Sequence, residues 1–99
     1  DVVTTVSESS VPTEYALRQN YPNPFNPSTT VSFDLPTGSN VKIEVFDMLG
    51  RKVSDLLNEL KTAGTHQVQF DASSLPSGVY FYKLTTKDFS SINKMMLLR

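Results

Sequence analysis

Residues 29–47, "TTVSFDLPTGSNVKIEVFD", decide the fold, because apolar and polar residues alternate on both sides of a short polar connection. A period of two predicts half-buried β-strands with one face toward water. The connection "PTGSN" is rich in turn-forming residues. The apolar positions are Val31, Phe33 and Leu35 in the first run and Val41, Ile43 and Val45 in the second.

Strand and turn signals continue to the end of the chain. "HQVQFD" (66–71) alternates again, "VYFYKLTT" (79–86) is apolar on both faces as a central strand would be, and "INKMMLLR" (92–99) predicts a last strand. "DMLGR" (47–51) predicts a hairpin with Gly50 in a left-handed conformation. The regular recurrence of short strand signals separated by turn signals predicts an all-β antiparallel sandwich.

One segment is ambiguous between strand and helix. In "KVSDLLNELK" (52–61), the four residues Val53, Leu56, Leu57 and Leu60 also fit one face of a helix. Hairpin signals on both sides favour a strand over residues 52–57, followed by a loop.

Length and composition narrow the class of protein. The 99 residues fit one domain, and 9 basic against 10 acidic residues give a net charge of −1 without a basic run. Nucleic acid is therefore not an expected partner. The absence of cysteine excludes a disulfide scaffold. No apolar run approaches the roughly 18 residues of a membrane span, so no membrane insertion is expected.

The first and last residues of the sequence indicate that the chain is part of a longer protein. The chain begins at Asp1 without a signal peptide, and "MMLLR" suggests the C-terminus of the parent. Residues 1–13 are rich in Thr, Ser and Val and predict a linker or a loosely held arm, with a first strand over residues 2–6 as the alternative.

Residues that could support catalysis are few. His66 is in phase with Val68 and Phe70, which predicts a position at the core or its rim, and no nucleophile is marked near it. The glycines occur singly, one per turn, so no phosphate-binding loop is expected. Four acids near strand ends fit turn capping better than calcium binding, and they are Asp34, Asp47, Asp71 and Asp88. We predict no catalytic residue, no metal site and no cofactor.

"LPSGVY" (75–80) places Tyr80 after a turn and near the start of the central strand. This pattern is similar to a tyrosine corner, in which the phenol bonds back to the preceding loop. A surface tyrosine after a plain turn is the alternative. The aromatics Tyr80, Phe81, Tyr82 and Phe89 could form a platform for sugars, although core positions fit most of them better.

"NYPNPFNPSTT" (20–30) alternates prolines and asparagines around Tyr21 and Phe25. Proline holds φ near −65° and pushes the preceding residue toward extended geometry, so a stiff extended segment is predicted. We expect Phe25 to plug one end of the core and the prolines to shield a sheet edge. A preformed epitope for a partner is the alternative.

Four stretches of the sequence, taken in order, resemble the C-terminal sorting domain of proteins exported by the type IX secretion system. They are "LRQNYPNPFNPSTTVSFDLP", "VFDMLGRKV", "FDASSLPSGVYFYKL" and "KMMLLR". The resemblance covers residues 15–99, with residues 1–14 as the linker to the upstream cargo. It implies an immunoglobulin-like β-sandwich of about seven strands, similar to the immunoglobulin-like domain of a flagellar hook-capping protein.

The resemblance also implies a non-catalytic function. The domain directs a covalently linked cargo across the outer membrane, where the type IX machinery recognises it. In many members a sortase-like peptidase then removes the domain and attaches the cargo to the cell surface; in others the cargo is released.

The resemblance carries over few residues. "LPSGVY" is similar to a P-x-G-x-Y motif at Pro76, Gly78 and Tyr80, and "KMMLLR" to a terminal basic motif at Lys94 and Arg99. The glycine that the family has after the central strand is not evident here.

Two other classes of function remain open at this point. One is a carbohydrate-binding or adhesive sandwich appended to a surface enzyme. The other is a dimerising domain that pairs through an exposed edge strand at Ile92–Leu98.

Overall fold

The structure, a computed structural model, describes residues 11–99. Most of the predicted linker, and all of the alternative strand over residues 2–6, lie outside the described residues. Seven strands form within them: β1 (Ala16–Leu17), β2 (Ser28–Leu35), β3 (Ser39–Phe46), β4 (Lys52–Lys61), β5 (Gly64–Asp71), β6 (Gly78–Thr85) and β7 (Ser90–Leu97).

The strands form two antiparallel sheets. One has the order β1-β2-β5 and the other β4-β3-β6-β7. The turns after β3 and β6 close hairpins within the second sheet, whereas the connections after β2, β4 and β5 cross between the sheets. This is the predicted immunoglobulin-like sandwich, and β6 is central in its sheet as its two apolar faces predicted.

β4 is longer than predicted. It continues past Leu57 to Lys61 because its last residues pair with the start of β3, from Asn58 opposite Lys42 to Lys61 opposite Ser39. The helical spacing was misleading because two register shifts in the pairing, next to Ile43 and Val45 of β3, disturb the alternation.

The core lies between the sheets and uses the alternate positions that the sequence pattern marks. The inward residues of β2, β3 and β6 are fully or almost fully buried. Phe25, Phe70 and Ala72 close one end of the core, and the rings of Phe25 and Phe70 lie 6.2 Å apart. Burial of a phenylalanine side chain stabilises a fold by about 1.5–3 kcal/mol.

The segment 20–30 has the predicted role but not the predicted shape. Phe25 is 2% exposed and plugs the core, as expected. The three X-Pro bonds at Pro22, Pro24 and Pro27 are cis. The segment is a series of bends rather than an extended stretch, so the prediction of an extended conformation is wrong.

The bends are held by a buried polar network. Asn20 and Thr29 are each 2% exposed. The Asn20 amide group donates to Thr29 Oγ1 at 2.9 Å and to the Pro22 carbonyl at 3.1 Å, and Thr29 Oγ1 donates to the same carbonyl at 2.8 Å. These bonds satisfy polar groups that would otherwise be buried without partners.

The outer edge of β7 is covered, so the prediction of an exposed edge strand at Ile92–Leu98 is wrong. The Phe25 amide donates to the Met96 carbonyl and the Phe25 carbonyl accepts from the Leu98 amide, each at 3.0 Å. The Met96 amide donates to Asn23 Oδ1 at 2.9 Å. The proline-rich segment therefore occupies the hydrogen-bonding groups through which a second chain would pair.

Residues before the proline-rich segment also cover the part of β7 that is nearer its start. Gln19 Nε2 donates to the Lys94 carbonyl at 2.8 Å, and Asn93 Nδ2 donates to the Leu17 carbonyl at 3.1 Å. Because β1 pairs with β2 of the other sheet, residues 16–25 connect the two sheets along one side of the sandwich.

Tyr82 fixes this connecting segment to the central strand. Its side chain is fully buried. Its hydroxyl donates to the Arg18 carbonyl at 2.7 Å and accepts from the backbone amide of Asn20 at 2.8 Å. Burial raises the pKa of the Tyr82 phenol, so the hydroxyl keeps its proton at neutral pH. Nothing in the sequence pattern distinguished this tyrosine from its neighbours.

Tyr82→Phe should lower the free energy of unfolding by about 1–3 kcal/mol, because it leaves the Arg18 carbonyl and the Asn20 amide without their partner. Chemical denaturation measures the change. Tyr21→Phe is the matched control, since Tyr21 is 80% exposed and should lose almost nothing. Equal stability of both variants would contradict the role given to Tyr82.

Candidate functional site

The tyrosine corner is present at the start of β6. The Tyr80 hydroxyl donates to the Pro76 carbonyl at 2.6 Å, and Tyr80 is 4% exposed. Gly78, between the two, has φ 153°, within the range that side-chain-bearing residues rarely adopt. The bond fixes the corner loop, residues 72–77, against the central strand.

Arg99 holds the corner loop from its other side. Its guanidinium donates to the carbonyls of Leu75 and Ala72, each at 2.9 Å, and also to that of Ser73. Its backbone amide donates to Ser77 Oγ at 3.0 Å. The guanidinium fork suits several converging carbonyl oxygens, so Arg99 acts as a clamp on this loop.

The turn between β3 and β4 faces the corner loop and is internally fixed. Asp47 Oδ1 accepts from the amides of Leu49 and Arg51 at 2.9 and 3.0 Å, and Asp47 Oδ2 accepts from Arg51 Nε at 2.9 Å. Gly50 has φ 84°, as its predicted left-handed position requires. These bonds lower the pKa of Asp47, the Arg51 amide having the largest effect.

An open depression of about 390 Å3, which we call the corner cleft, lies between this turn and the corner loop. Its walls are largely apolar and include Val53, Leu75, Pro76, Val79 and Tyr80. Met48 and Leu49 form its rim at the tip of the turn, 69% and 77% exposed. Two large apolar side chains are thus presented to solvent on a rigid support.

The structure brings together four of the five residues that the resemblance carried over. Pro76, Gly78 and Tyr80 line the corner cleft, and Arg99 clamps the loop that forms it. Lys94 is separate, because its side chain lies on the outside of β7 opposite Phe81.

Met48 and Leu49 are not marked as candidate recognition residues by the sequence pattern, which indicates only a hairpin turn at this position. Two adjacent large apolar residues where turns usually carry polar ones were the available signal. Their exposure could not be known before the position of the corner loop.

The acids near strand ends have two different roles. Asp47 and Asp71 cap turns as predicted; Asp71 Oδ1 accepts from the Ser73 amide at 2.9 Å, which lowers the pKa of Asp71, and Arg99 adds to this effect. Asp34 is instead 6% exposed within β2, where it pairs with Arg18 and accepts from Thr65 Oγ1 at 2.9 Å. The prediction of a turn cap is wrong for Asp34, because β1 and β5 flank it. It is also wrong for Asp88, whose carboxylate accepts no hydrogen bond from residues 11–99.

Residues 11–99 contain no group of three or more histidines, cysteines or acids placed to hold a metal ion. His66 lies at the rim of the core as predicted, with its ring 5.5 Å from that of Phe33. Its Nε2 is 2.8 Å from the Thr62 carbonyl oxygen. No helix in this part of the chain is long and apolar enough to cross a membrane.

Comparison with known families gives a match over residues 19–98 to the secretion system C-terminal sorting domain. The chain belongs to this family. The match confirms the resemblance to sorting domains of the type IX secretion system, and the domain is a signal for secretion to the cell surface or the extracellular space. Sorting domains of this kind are typically non-catalytic.

Among solved structures, the sorting domain is similar to part of PorZ from Porphyromonas gingivalis, described as an essential surface component of the type IX secretion system. The TM-score is 0.59 at 19% identity, and the alignment covers 85% of this chain but 12% of PorZ. The likeness supports the fold. A search of curated proteins gives no significant match.

Asp47→Asn should reduce the dependence of stability on acid pH. A carboxylate whose pKa is lowered by folding contributes stability above its ordinary value of 3.8, and that contribution is lost as the pH falls through the lowered pKa. Urea unfolding between pH 7 and pH 2 should therefore show a smaller loss of stability in the variant than in the wild type.

Asp88→Asn is the matched control, because Asp88 is exposed and its carboxylate accepts no hydrogen bond from residues 11–99. Identical pH profiles for wild type and Asp47→Asn would contradict the account of the turn.

Proposed function

We propose that the outer-membrane machinery of the type IX secretion system recognises the domain at the corner cleft and the exposed tip beside it. The observation that carries this proposal is the convergence of Pro76, Gly78, Tyr80 and Arg99 on one loop. Lys94 contributes from the outer side of β7. The covalently linked upstream cargo is exported with the domain.

The rigidity of the cleft favours recognition. The corner loop is held by Tyr80 and Arg99, and the facing turn is held by Asp47. A surface already fixed in one conformation loses less entropy when a partner binds. Exposed apolar side chains such as Met48 and Leu49 then gain from burial against that partner.

After export, we expect the cargo to be processed as in other members of the family. A sortase-like peptidase removes the domain and joins the cargo to the cell surface, or the cargo is released. The domain itself performs no catalysis and requires no cofactor.

Truncation of residues 94–99 would not separate recognition from folding. It would remove Met95 and Leu97, both fully buried, together with the Arg99 clamp. Point substitutions at exposed positions are therefore the better test.

The adhesive alternative receives little support from the aromatic residues. Tyr80 and Tyr82 are in the core, and Phe89 stacks on Tyr15 with 5.0 Å between ring centroids. Phe81 is half-buried on the outside of its sheet. A flat row of exposed rings, such as sugar stacking uses, is not formed by these four residues.

The test is export of a reporter fused upstream of residues 1–99 in a host that has the system. We expect the wild-type fusion to reach the cell surface or medium, and Met48→Ser/Leu49→Ser to remain largely in the periplasm. Both side chains are exposed, so the unfolding midpoint should stay close to that of the wild type.

Leu60→Ser is the matched control, because Leu60 is 75% exposed on β4 and does not line the cleft. Its export should be normal. Normal export of Met48→Ser/Leu49→Ser would contradict recognition at the cleft, whereas retention of a folded wild-type fusion would contradict the sorting role itself.

A further inference from the structure

The outside of the four-stranded sheet, which we call the outer face, carries more apolar surface than a solvated sheet face normally does. Pairing places Phe46 beside Phe81 and Val79 beside Met96, all on the side away from the core. Ile92 is 56% exposed and Met96 38% exposed. The solvent face of an antiparallel sheet is usually polar, so this row needs a separate explanation.

The apolar side chains are contiguous. Phe46, Phe81, Ile92 and Met48 line a shallow open depression of about 300 Å3. A connected apolar depression on the surface of a small domain is typical of an interface. It adjoins the corner cleft, because Asp47 and Met48 line both depressions.

Positive charge borders the apolar row. Lys83 lines the depression and pairs in register with Ile92, while Lys94 lies opposite Phe81. Within residues 11–99, neither Lys83 nor Lys94 forms an ion pair.

The carboxylates on this side of the sheet are already paired with cations. Asp47, which lines the depression, pairs with Arg51. Asp55, opposite Glu44 in the pairing of β3 with β4, pairs with Lys52.

Glu44 lies opposite Lys83 in the pairing of β3 with β6. It is within 3.6 Å of the Lys42 ammonium and 3.5 Å of the Lys52 ammonium. The outer face is therefore apolar in its centre and cationic at its border.

We infer that the outer face docks a protein of the secretion machinery through an apolar patch bordered by carboxylates. Opposite charges at the border would bring the two surfaces together and set their orientation, while the apolar centre would supply most of the binding energy. This inference rests on the proposed function and names the chemistry of the partner surface.

The charges argue against a second copy of this chain as the occupant. Two outer faces in contact would enclose the cations Lys83 and Lys94 of both copies, which form no ion pair within residues 11–99. The carboxylates Glu44, Asp47 and Asp55 on this side already have cationic partners, and an excess of like charge in an interface is unfavourable. The covered edge of β7 removes the other route to pairing between copies.

The test is the rate of reporter export from the full chain carrying Lys83→Glu/Lys94→Glu. We expect a decrease of about tenfold or more, because the substitutions place negative charges against carboxylates of the partner. Lys83→Arg/Lys94→Arg keeps both charges and should be exported at close to the wild-type rate.

Lys87→Glu is the control, since Lys87 is exposed in the turn between β6 and β7 and, within residues 11–99, forms no ion pair. It should also be exported normally, and circular dichroism should show all variants folded. Wild-type export of Lys83→Glu/Lys94→Glu would overturn the inference, as would an equal loss in the Arg variant or in the control. Failure of the wild-type fusion to be exported would instead overturn the proposed function.

A second measurement identifies the class of partner. The photo-crosslinker p-benzoylphenylalanine is placed at Ile92, and at Gln69, which is exposed on β5 of the other sheet, as the control position, in the exported reporter. We expect a crosslink from Ile92, but not from Gln69, to a protein of the secretion machinery at an acidic segment, and its loss in Lys83→Glu/Lys94→Glu. Crosslinks only to a glycolipid, or only to a second copy of the chain, would overturn the inference.

Discussion

The buried hydroxyl of Tyr82 is the interaction on which the rest of the structure depends. It bonds at once to the Arg18 carbonyl and the Asn20 amide, so it fixes the segment that connects the two sheets. That segment covers the edge of β7 and delivers Phe25 to the end of the core. Because this segment covers β7, the outward backbone amides and carbonyls of β7 are unavailable for pairing with another chain. This suits a domain that must remain folded and separate beside its cargo.

The class of fold was predictable because it depends on local alternation. β2, β3 and β5 each expose one face, and β6 has two apolar faces, so these four strands and the central position of β6 could be derived from residues alone. The two-residue strand β1 carries no alternation and was not predicted. The end of β4 could not be derived, because it depends on the bulged pairing with β3. The shape of residues 20–30 could not either, since it depends on hydrogen bonds among Asn20, Pro22 and Thr29 that local patterns do not indicate.

The candidate site was only partly predictable, because most of its contacts join residues that are far apart in the sequence. The bond from Tyr80 to Pro76 spans four residues, and a local pattern indicated it. The clamp from Arg99 to the corner loop spans more than twenty residues, and the cleft requires a turn and a loop from different parts of the chain. Such juxtapositions depend on the tertiary fold, so the sequence marked Arg99 only through a family resemblance and did not mark Met48 or Leu49.

The most direct test of this account is native-state hydrogen exchange at the outward amides of β7. If residues 16–25 cover the edge as described, the amides of Met96 and Leu98 should exchange about as slowly as those of β6, and Asn23→Ala should accelerate Met96 most. Fast exchange at Met96 and Leu98 in the wild type, as at an open edge, would contradict the central claim that the proline-rich segment closes the sandwich.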